Sequence, residues 1–332
     1  MSRIAVVGAG AWGTALAISL ARRGGHSLVL WAHSPAHAEE LRARGENLHY
    51  LPGFALPRDM RITADVVDAA HLADIILCVT PSQHLRALMV QLAPHLTPDQ
   101  VILSASKGVE DGSFLRMSEV VAEHVGNAFG TLGGPSFAQE VAAAKPTAIT
   151  IATADVDAAL GKTLQDAFSS PSLRVYRNDD VVGTELGGAL KNVIAVAAGV
   201  VHGLDLGSNS AAALITRGMA EMTRLTIACG GRSETLTGLA GMGDLVLTCT
   251  GGLSRNRSVG IELGRGRKLQ EILEGLNGKV AEGVRTTTAA LGLAARYGVE
   301  MPITEQVAAI LHQDKSPEDA IRDLMNRPGR TE

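Results

Sequence analysis

The rhythm of hydrophobic positions changes halfway along this chain. In the first half, short apolar runs rich in β-branched residues alternate with stretches of helical period. Ile4–Val7, Leu28–Trp31, Ile75–Val79 and Val101–Ser104 read as buried strands, with Ala148–Ile151 and Leu173–Tyr176 as later ones. Thr14–Arg23, His84–Leu92 and Phe114–His124 carry apolar residues at helical spacing, and Gly24 and Gly25 close the first of these. Strands apolar on both faces, alternating with helices, predict a mostly parallel, doubly wound sheet covered on both sides. From about Val181 the strand signals fade. Glu185–Val201, Ser210–Ala228, Val259–Arg265, Leu269–Glu274, Thr286–Tyr297, Thr304–Leu311 and Pro317–Asn326 all read as helices. The pattern therefore predicts an α/β domain over residues 1–182 and an all-α domain over 183–332, with no Pro- or Ser-rich linker between them.

Composition sharpens this picture at three points. Aromatic residues make up only 3% of the chain against 37 glycines, which suits closely packed helices and backbone that approaches ligands. A net charge of −4 predicts no broad attraction to nucleic acid or anionic membrane, so a bound anion must be held by a local cluster. Cys78, Cys229 and Cys249 are scattered, which argues against a disulfide framework or zinc knuckle and for a reducing compartment. The strand-like start at Arg3 predicts no basic leader. The longest apolar run, Val193–Val201, falls short of the ~20 residues of a membrane span. The expectation is a cytoplasmic chain with no membrane insertion.

Gly8-Ala9-Gly10-Ala11-Trp12-Gly13 is a GxGxxG between a predicted strand and a predicted helix. In that context the first glycine permits the tight turn, the second lets a pyrophosphate approach the backbone, and the third lets helix pack on strand. The helix N-terminus then offers N–H groups and a positive dipole end to the phosphates. These features predict a Rossmann-type dinucleotide site. The second strand ends in Trp31-Ala32-His33-Ser34, with neither a carboxylate to repel a 2′-phosphate nor an adjacent arginine to grip one. NAD and NADP should both be tolerated, with His33 assisting. His33 and His37 have i,i+4 spacing, but Pro35 breaks a helix start between them, so a metal pair is not expected. Lys107, just past the strand Val101–Ser104, falls by topology near the nicotinamide end, or is a surface lysine on a loop.

The chain has seven lysines against 23 arginines, and Lys191 heads the apolar stretch Val193–Val201. It shares a helical face with Ala195, Ala198 and His202, while Leu190, Val193, Ile194, Ala197 and Val201 read as core. Two readings stand: a snorkelling lysine, or an ammonium held in a pocket. Asp244 follows three glycines inside another apolar stretch and is either its partner or a helix N-cap. Ser254-Arg255-Asn256-Arg257 suits a phosphate, or is a solvated basic loop.

Together these residues carry a resemblance. GAGAWGTALA at Gly8–Ala17, SKG at Ser106–Gly108, GGPSFAQE at Gly133–Glu140, ELGGALKNVIA at Glu185–Ala195, TGLAGMGDL at Thr237–Leu245, SRNR at Ser254–Arg257 and VAEGV at Val280–Val284 resemble the bacterial-type NAD(P)-dependent glycerol-3-phosphate dehydrogenases. The resemblance implies reversible reduction of dihydroxyacetone phosphate to sn-glycerol 3-phosphate, feeding phospholipid synthesis, without a metal. It implies that Lys191 transfers the proton. Lys107, Gly134, Ser136, Asp244, Ser254, Arg255 and Asn256 would touch substrate, with Asn192 and Thr248 counted beside them. Ala11, Trp12, His33, Lys107, Ala138, Arg255, Val280 and Glu282 would line the cofactor with the turn glycines Gly8, Gly10 and Gly13. The chain departs from the family with Ala11 where serine is common and Ser136 where threonine is common, and it lacks an arginine near Ala32 or His33. A 3-hydroxy-acid or 6-phosphogluconate type of dehydrogenase remains an alternative, as does a non-catalytic dinucleotide sensor. Apolar helix faces make a homodimer plausible, although the same faces could be internal core.

Overall fold

The computed structural model describes residues 2–154, 159–276 and 280–329. The chain divides into two compact units, Met1–Lys107 with Leu115–Glu185, and Gly108–Phe114 with Leu186–Glu332.

The first unit is built on an eight-stranded sheet. Its strands are β1 (Ser2–Val7), β2 (His26–Trp31), β5 (Arg61–Thr63), β6 (Ile75–Cys78), β7 (Val101–Ser104), β8 (Phe129–Gly133), β9 (Thr147–Thr153) and β10 (Leu173–Asn178). A separate hairpin pairs β3 (Glu46–Asn47) with β4 (Leu51–Ala55). The sheet order is β10-β9-β8-β7-β6-β1-β2-β5. All neighbours are parallel except β8 and β9, which run antiparallel. Chain order reverses at β1, which has β2 on one side and β6 on the other. That is the topological switch point at which such sheets bind ligands. The mostly parallel, doubly wound architecture is thus the one the alternating periods predict.

Successive strand residues feed opposite cores. Ile4, Val6, Ile75, Leu77 and Leu103 face the helix Ala11–Arg23, with Leu16 and Leu20 in the same cluster. Ala5, Val7, Ile76, Cys78 and Ile102 face the other way, onto Leu85, Leu88, Met89 and Leu92 of the helix Leu85–Leu92. Both faces are covered, as a parallel sheet requires. Glu185 ties the start of the long helix Val181–Gly203 to this unit. It accepts from Arg116 Nη1 at 2.8 Å and from both Ser118 N and Oγ at 2.7 Å. Burial pushes its carboxyl pKa up, with Arg116 pulling the other way.

Several elements differ from the sequence pattern. β8 reads FGTLG, with two glycines and a threonine in place of an apolar run, and gives no strand signal. The expected Phe114–His124 helix shrinks to Met117–Ala122, because Phe114 adopts φ 59° and belongs to the second unit. There its ring lies against Gly292, where an added Cβ would sit 2.3 Å from the ring, and 5.6 Å from the Arg296 guanidinium carbon. Pro35 does not break a helix. It occupies the first turn of Pro35–Arg44, where its missing N–H is no loss, and Ser34 caps that helix.

The second unit is helical among its described residues. Its centre, from Leu186 on, is the helix Val181–Gly203, 23 residues long with mean hydropathy 1.3 over its most apolar window, of which 89% is buried. By length and composition this helix could cross a membrane, unlike the shorter run visible in the sequence. Lys191 interrupts the apolar run without interrupting the helix, and protein already covers the helix surface. Gly199 and Gly203 meet Gly260 and Gly264 of the helix Arg255–Gly264, so two i,i+4 glycine pairs face each other. A Cβ at Gly260 would fall 2.0 Å from the Val196 carbonyl oxygen, and one at Gly199 would fall 2.1 Å from that of Arg257. The two backbones touch because no side chain separates them. On the next long helix, Gly207–Ala228, buried Glu221 reaches the N-terminus of Pro302–His312. It accepts from Ile303 N at 2.5 Å and Thr304 N at 3.2 Å, and burial pushes its carboxyl up to about 7.

The glycine crossing yields a stability prediction. Gly260→Ala overpacks a backbone contact and should lower the thermal midpoint by about 5 °C or more. Gly126→Ala, whose methyl would meet nothing within 4 Å, should leave it nearly unchanged. Differential scanning calorimetry of the two variants checks this.

Candidate active site

The glycine turn sits at the end of β1 and opens the helix Ala11–Arg23. Gly8 has φ 130°, and a Cβ there would lie 2.7 Å from the Val79 carbonyl oxygen just past β6. A Cβ at Gly13 would lie 1.9 Å from the Gly8 carbonyl oxygen. Gly10 differs: its Cβ would meet nothing within 4 Å. The first glycine is therefore required by the turn and the third by helix packing, while the second faces open space. No side chain caps the helix N-terminus and no acidic residue lies in its first turn. Open space over Gly10 beside an uncapped positive helix end fits a pyrophosphate. Ala11 and Trp12 are the first two helical residues. Trp12 packs on the core, and its Nε1 is buried without a hydrogen-bond partner among the described residues. His33 is exposed just past β2, its ring edge-on to Trp31 at 5.7 Å. His37 approaches Asn47 at 3.4 Å.

The other candidates of this unit lie at strand ends. Lys107 follows β7 and is half-buried. Beside it, Ser106 Oγ donates to the Thr80 carbonyl at 2.6 Å, joining the segments past β6 and β7. Gly134 follows β8 with φ 110°, and Ser136 Oγ donates back to its carbonyl at 3.0 Å. Ala138 opens the short helix Ala138–Ala142.

In the helical unit, Lys191 is buried and its Nζ donates to Asp244 Oδ1. The two side chains are 8% and 1% exposed. Lys191 is therefore not snorkelling. Asp244 is not the helix cap either: it is the first residue of Asp244–Thr250, after a π-helical turn over Leu239–Gly243. Gly187 explains how the partners meet. One turn before Lys191, a Cβ there would lie 2.5 Å from the carbonyl oxygen of Ala240, one turn before Asp244. Close backbone approach at that point delivers the carboxylate to the ammonium. Cys249 lies near both, and burial pushes its thiol up to about 12, so it is no thiolate.

Asn192, next to Lys191, accepts from Asn256 Nδ2 at 2.9 Å, and Asn256 Oδ1 accepts from Gly283 N at 2.9 Å. This amide relay links three helices, and Glu282 opens the last of them, Glu282–Tyr297, two residues after the exposed Val280. Thr248 donates to the Asp244 carbonyl at 2.6 Å. Ser254 Oγ caps Arg255–Gly264, accepting from Arg257 N at 3.2 Å. Arg255 lies at the first helical position, exposed, and its guanidinium has no hydrogen-bond or ion-pair partner among the described residues. It is thus no mere loop residue. It adds a free planar cation to the positive end of a ten-residue helix.

The sequence pattern missed the bracing around these groups: Glu185 with Arg116, Ser106 with Thr80, and Asn47 behind the glycine turn. Each is a polar residue whose partner is remote in sequence, so no local spacing marks it.

Comparison with known proteins gives the family. The family description "NAD-dependent glycerol-3-phosphate dehydrogenase N-terminus" matches residues 3–159, and its "C-terminus" counterpart matches 180–322. A Koribacter versatilis protein named glycerol-3-phosphate dehydrogenase, NAD(P)+, is 60% identical over 336 residues, covering 100% of this chain and 99% of that one. A namesake from Acidobacterium capsulatum is 59% identical, covering 100% of both. The crystal structure of glycerol-3-phosphate dehydrogenase from Coxiella burnetii superposes with a TM-score of 0.94 at 41% identity, covering 98% of this chain and 99% of that one. With the glycine turn, the buried Lys191–Asp244 pair and matches across both units, this chain belongs to the NAD-dependent glycerol-3-phosphate dehydrogenase family.

Proposed function

We propose that this chain catalyses the reversible NAD(P)H-dependent reduction of dihydroxyacetone phosphate to sn-glycerol 3-phosphate. The observation that carries the reading is Lys191, an ammonium buried in an apolar helix and held by Asp244. A buried ion pair does little for stability against apolar replacements, so its presence asks for a chemical reason. Residues 1–182 act as the dinucleotide domain and 183–332 as the substrate domain. Gly8, Gly10, Ala11, Trp12 and Gly13 would hold the pyrophosphate with His33 assisting at the ribose end, and the family resemblance adds Lys107, Ala138, Arg255, Val280 and Glu282. With no carboxylate or arginine at positions 32 and 33, both NAD and NADP are accepted.

When bound, the reduced cofactor supplies a hydride to the carbonyl carbon of the substrate. Lys191 gives the carbonyl oxygen its proton as negative charge develops there, and in the reverse direction neutral Lys191 takes the hydroxyl proton back. Asp244 fixes the amine by a charge-assisted hydrogen bond. Arg255 and the N-terminus of its helix bind the phosphate, which lends binding energy to orienting the ketone. Ser254 positions that N-terminus, and Asn256, through Asn192, aligns it with the lysine helix. Thr248 braces Asp244 from behind. Lys107, Gly134 and Ser136 complete the set of substrate contacts that the resemblance implies. We further take the chain to be cytoplasmic, to supply glycerophospholipid synthesis and to form a homodimer.

Three outcomes test the reading. Lys191→Met should bind NADH, followed by fluorescence titration, yet lose at least about a hundredfold in kcat, followed by NADH absorbance. Asp244→Ala strands a buried charge and should lower stability to urea by about 3 kcal/mol, whereas Lys191→Met combined with Asp244→Leu should recover most of that loss. At saturating NADH, Arg255→Ala should raise KM for dihydroxyacetone phosphate by about 10–100-fold and leave unphosphorylated dihydroxyacetone unaffected. Equal turnover of a 3-oxo acid by the unaltered enzyme would favour the hydroxy-acid alternative.

A further inference from the structure

Asn47, the last residue of β3, is 1% exposed, and every hydrogen-bonding position of its side-chain amide is engaged. Nδ2 donates to the Ala9 carbonyl at 2.9 Å and to Thr14 Oγ1 at 2.8 Å. Oδ1 accepts from Tyr50 N at 3.2 Å and lies 3.4 Å from His37 Nε2. The Ala9 carbonyl can only accept and the Tyr50 N–H can only donate, so the amide has one orientation. Its two donors grip the glycine turn at both ends. Ala9 is the residue between Gly8 and Gly10, and Thr14 follows Gly13.

The peptide joining Ala9 to Gly10 is planar and trans, so its N–H points opposite to its C=O. Holding the Ala9 carbonyl on Asn47 therefore turns the Gly10 N–H away from Asn47. The Thr14 contact fixes the first turn of the helix against the same anchor, and Thr14 N closes that turn onto the Gly10 carbonyl at 3.0 Å. The acceptor side of the amide joins the hairpin through Tyr50. It also joins the helix Pro35–Arg44, which begins two residues after His33.

We propose that Asn47 is the positioning residue of the dinucleotide turn, setting affinity for the cofactor pyrophosphate without touching it. This rests on the cofactor reading given above. Asn47 pre-orients the N–H groups that a diphosphate needs, so that binding does not have to order them. Its contribution falls on the cofactor alone, because its contacts lie in the turn, the hairpin and the helix Pro35–Arg44, and none is with Lys191, Asp244 or Arg255.

Asn47→Asp keeps the shape of the side chain, removes both N–H donors and sets an acceptor against the Ala9 carbonyl. Fluorescence titration should show Kd for NADH rising about tenfold or more, and competition should show a matching rise for ADP-ribose, which carries the same diphosphate. Thr14→Val, which removes one of the two grips, should give a smaller rise of the same kind. At saturating NADH, kcat and KM for dihydroxyacetone phosphate should stay within about twofold of the unaltered enzyme. If Asn47→Asp does not fold, Asn47→Ser and Thr14→Val carry the comparison. A Kd for NADH within twofold of the unaltered enzyme in Asn47→Asp, or in Asn47→Ser where that replaces it, overturns the proposal. So do a fall in kcat and a rise in KM for dihydroxyacetone phosphate at saturating NADH that match the rise in Kd. An unaltered enzyme that binds neither NADH nor ADP-ribose would instead refute the cofactor reading itself.

Discussion

An ammonium group inside a helix with no polar face must find a carboxylate, and the helical unit is arranged around that requirement. The helix Val181–Gly203 is buried along almost its whole length, so little of Lys191 reaches the surface. Asp244 answers it from a segment that closes onto the helix where Gly187 admits the Ala240 carbonyl. Taking two charges out of water is expensive, and their attraction only about repays it. The pair is thus weak as a stabilising element, and the proton transfer proposed for Lys191 is the reason offered for keeping it.

The means of bringing elements together is the same in both units. Where backbones must touch, the side chain is absent. Gly8 and Gly13 let the first helix seat against the strand ends, and the facing pairs Gly199/Gly203 and Gly260/Gly264 lock two helices together. The chain's low aromatic content suits this arrangement. Cores assembled by close backbone approach are filled by alanine, valine and leucine, with little room for rings. Polar side chains then hold what the glycines bring together: Asn256 between two helices, Glu221 at a helix end, Asn47 behind the glycine turn.

Much of this is written in local spacing. The change from strand to helix period, the strand–turn–helix order around Gly8–Gly13 and the helical stretch carrying Lys191 all depend on residues a few positions apart. So does each of the motifs that carry the family resemblance. β8 escaped notice because its glycines remove the apolar signal, and the helix after Phe114 starts late because the Phe114 ring is claimed by Gly292 and Arg296, far along the chain.

The sequence alone determined the two regimes of period, the dinucleotide turn and the presence of a lysine that needed explaining. Tertiary structure alone decided what Lys191 pairs with, that Ser254 caps a helix while Arg255 stands open, and that Asn47 grips the turn. The reason is distance along the chain. Local rules rest on neighbours one to four residues apart. The Lys191–Asp244, Asn192–Asn256 and Asn47–Ala9 contacts join residues 53, 64 and 38 positions apart, and only the packing of whole elements brings such residues together.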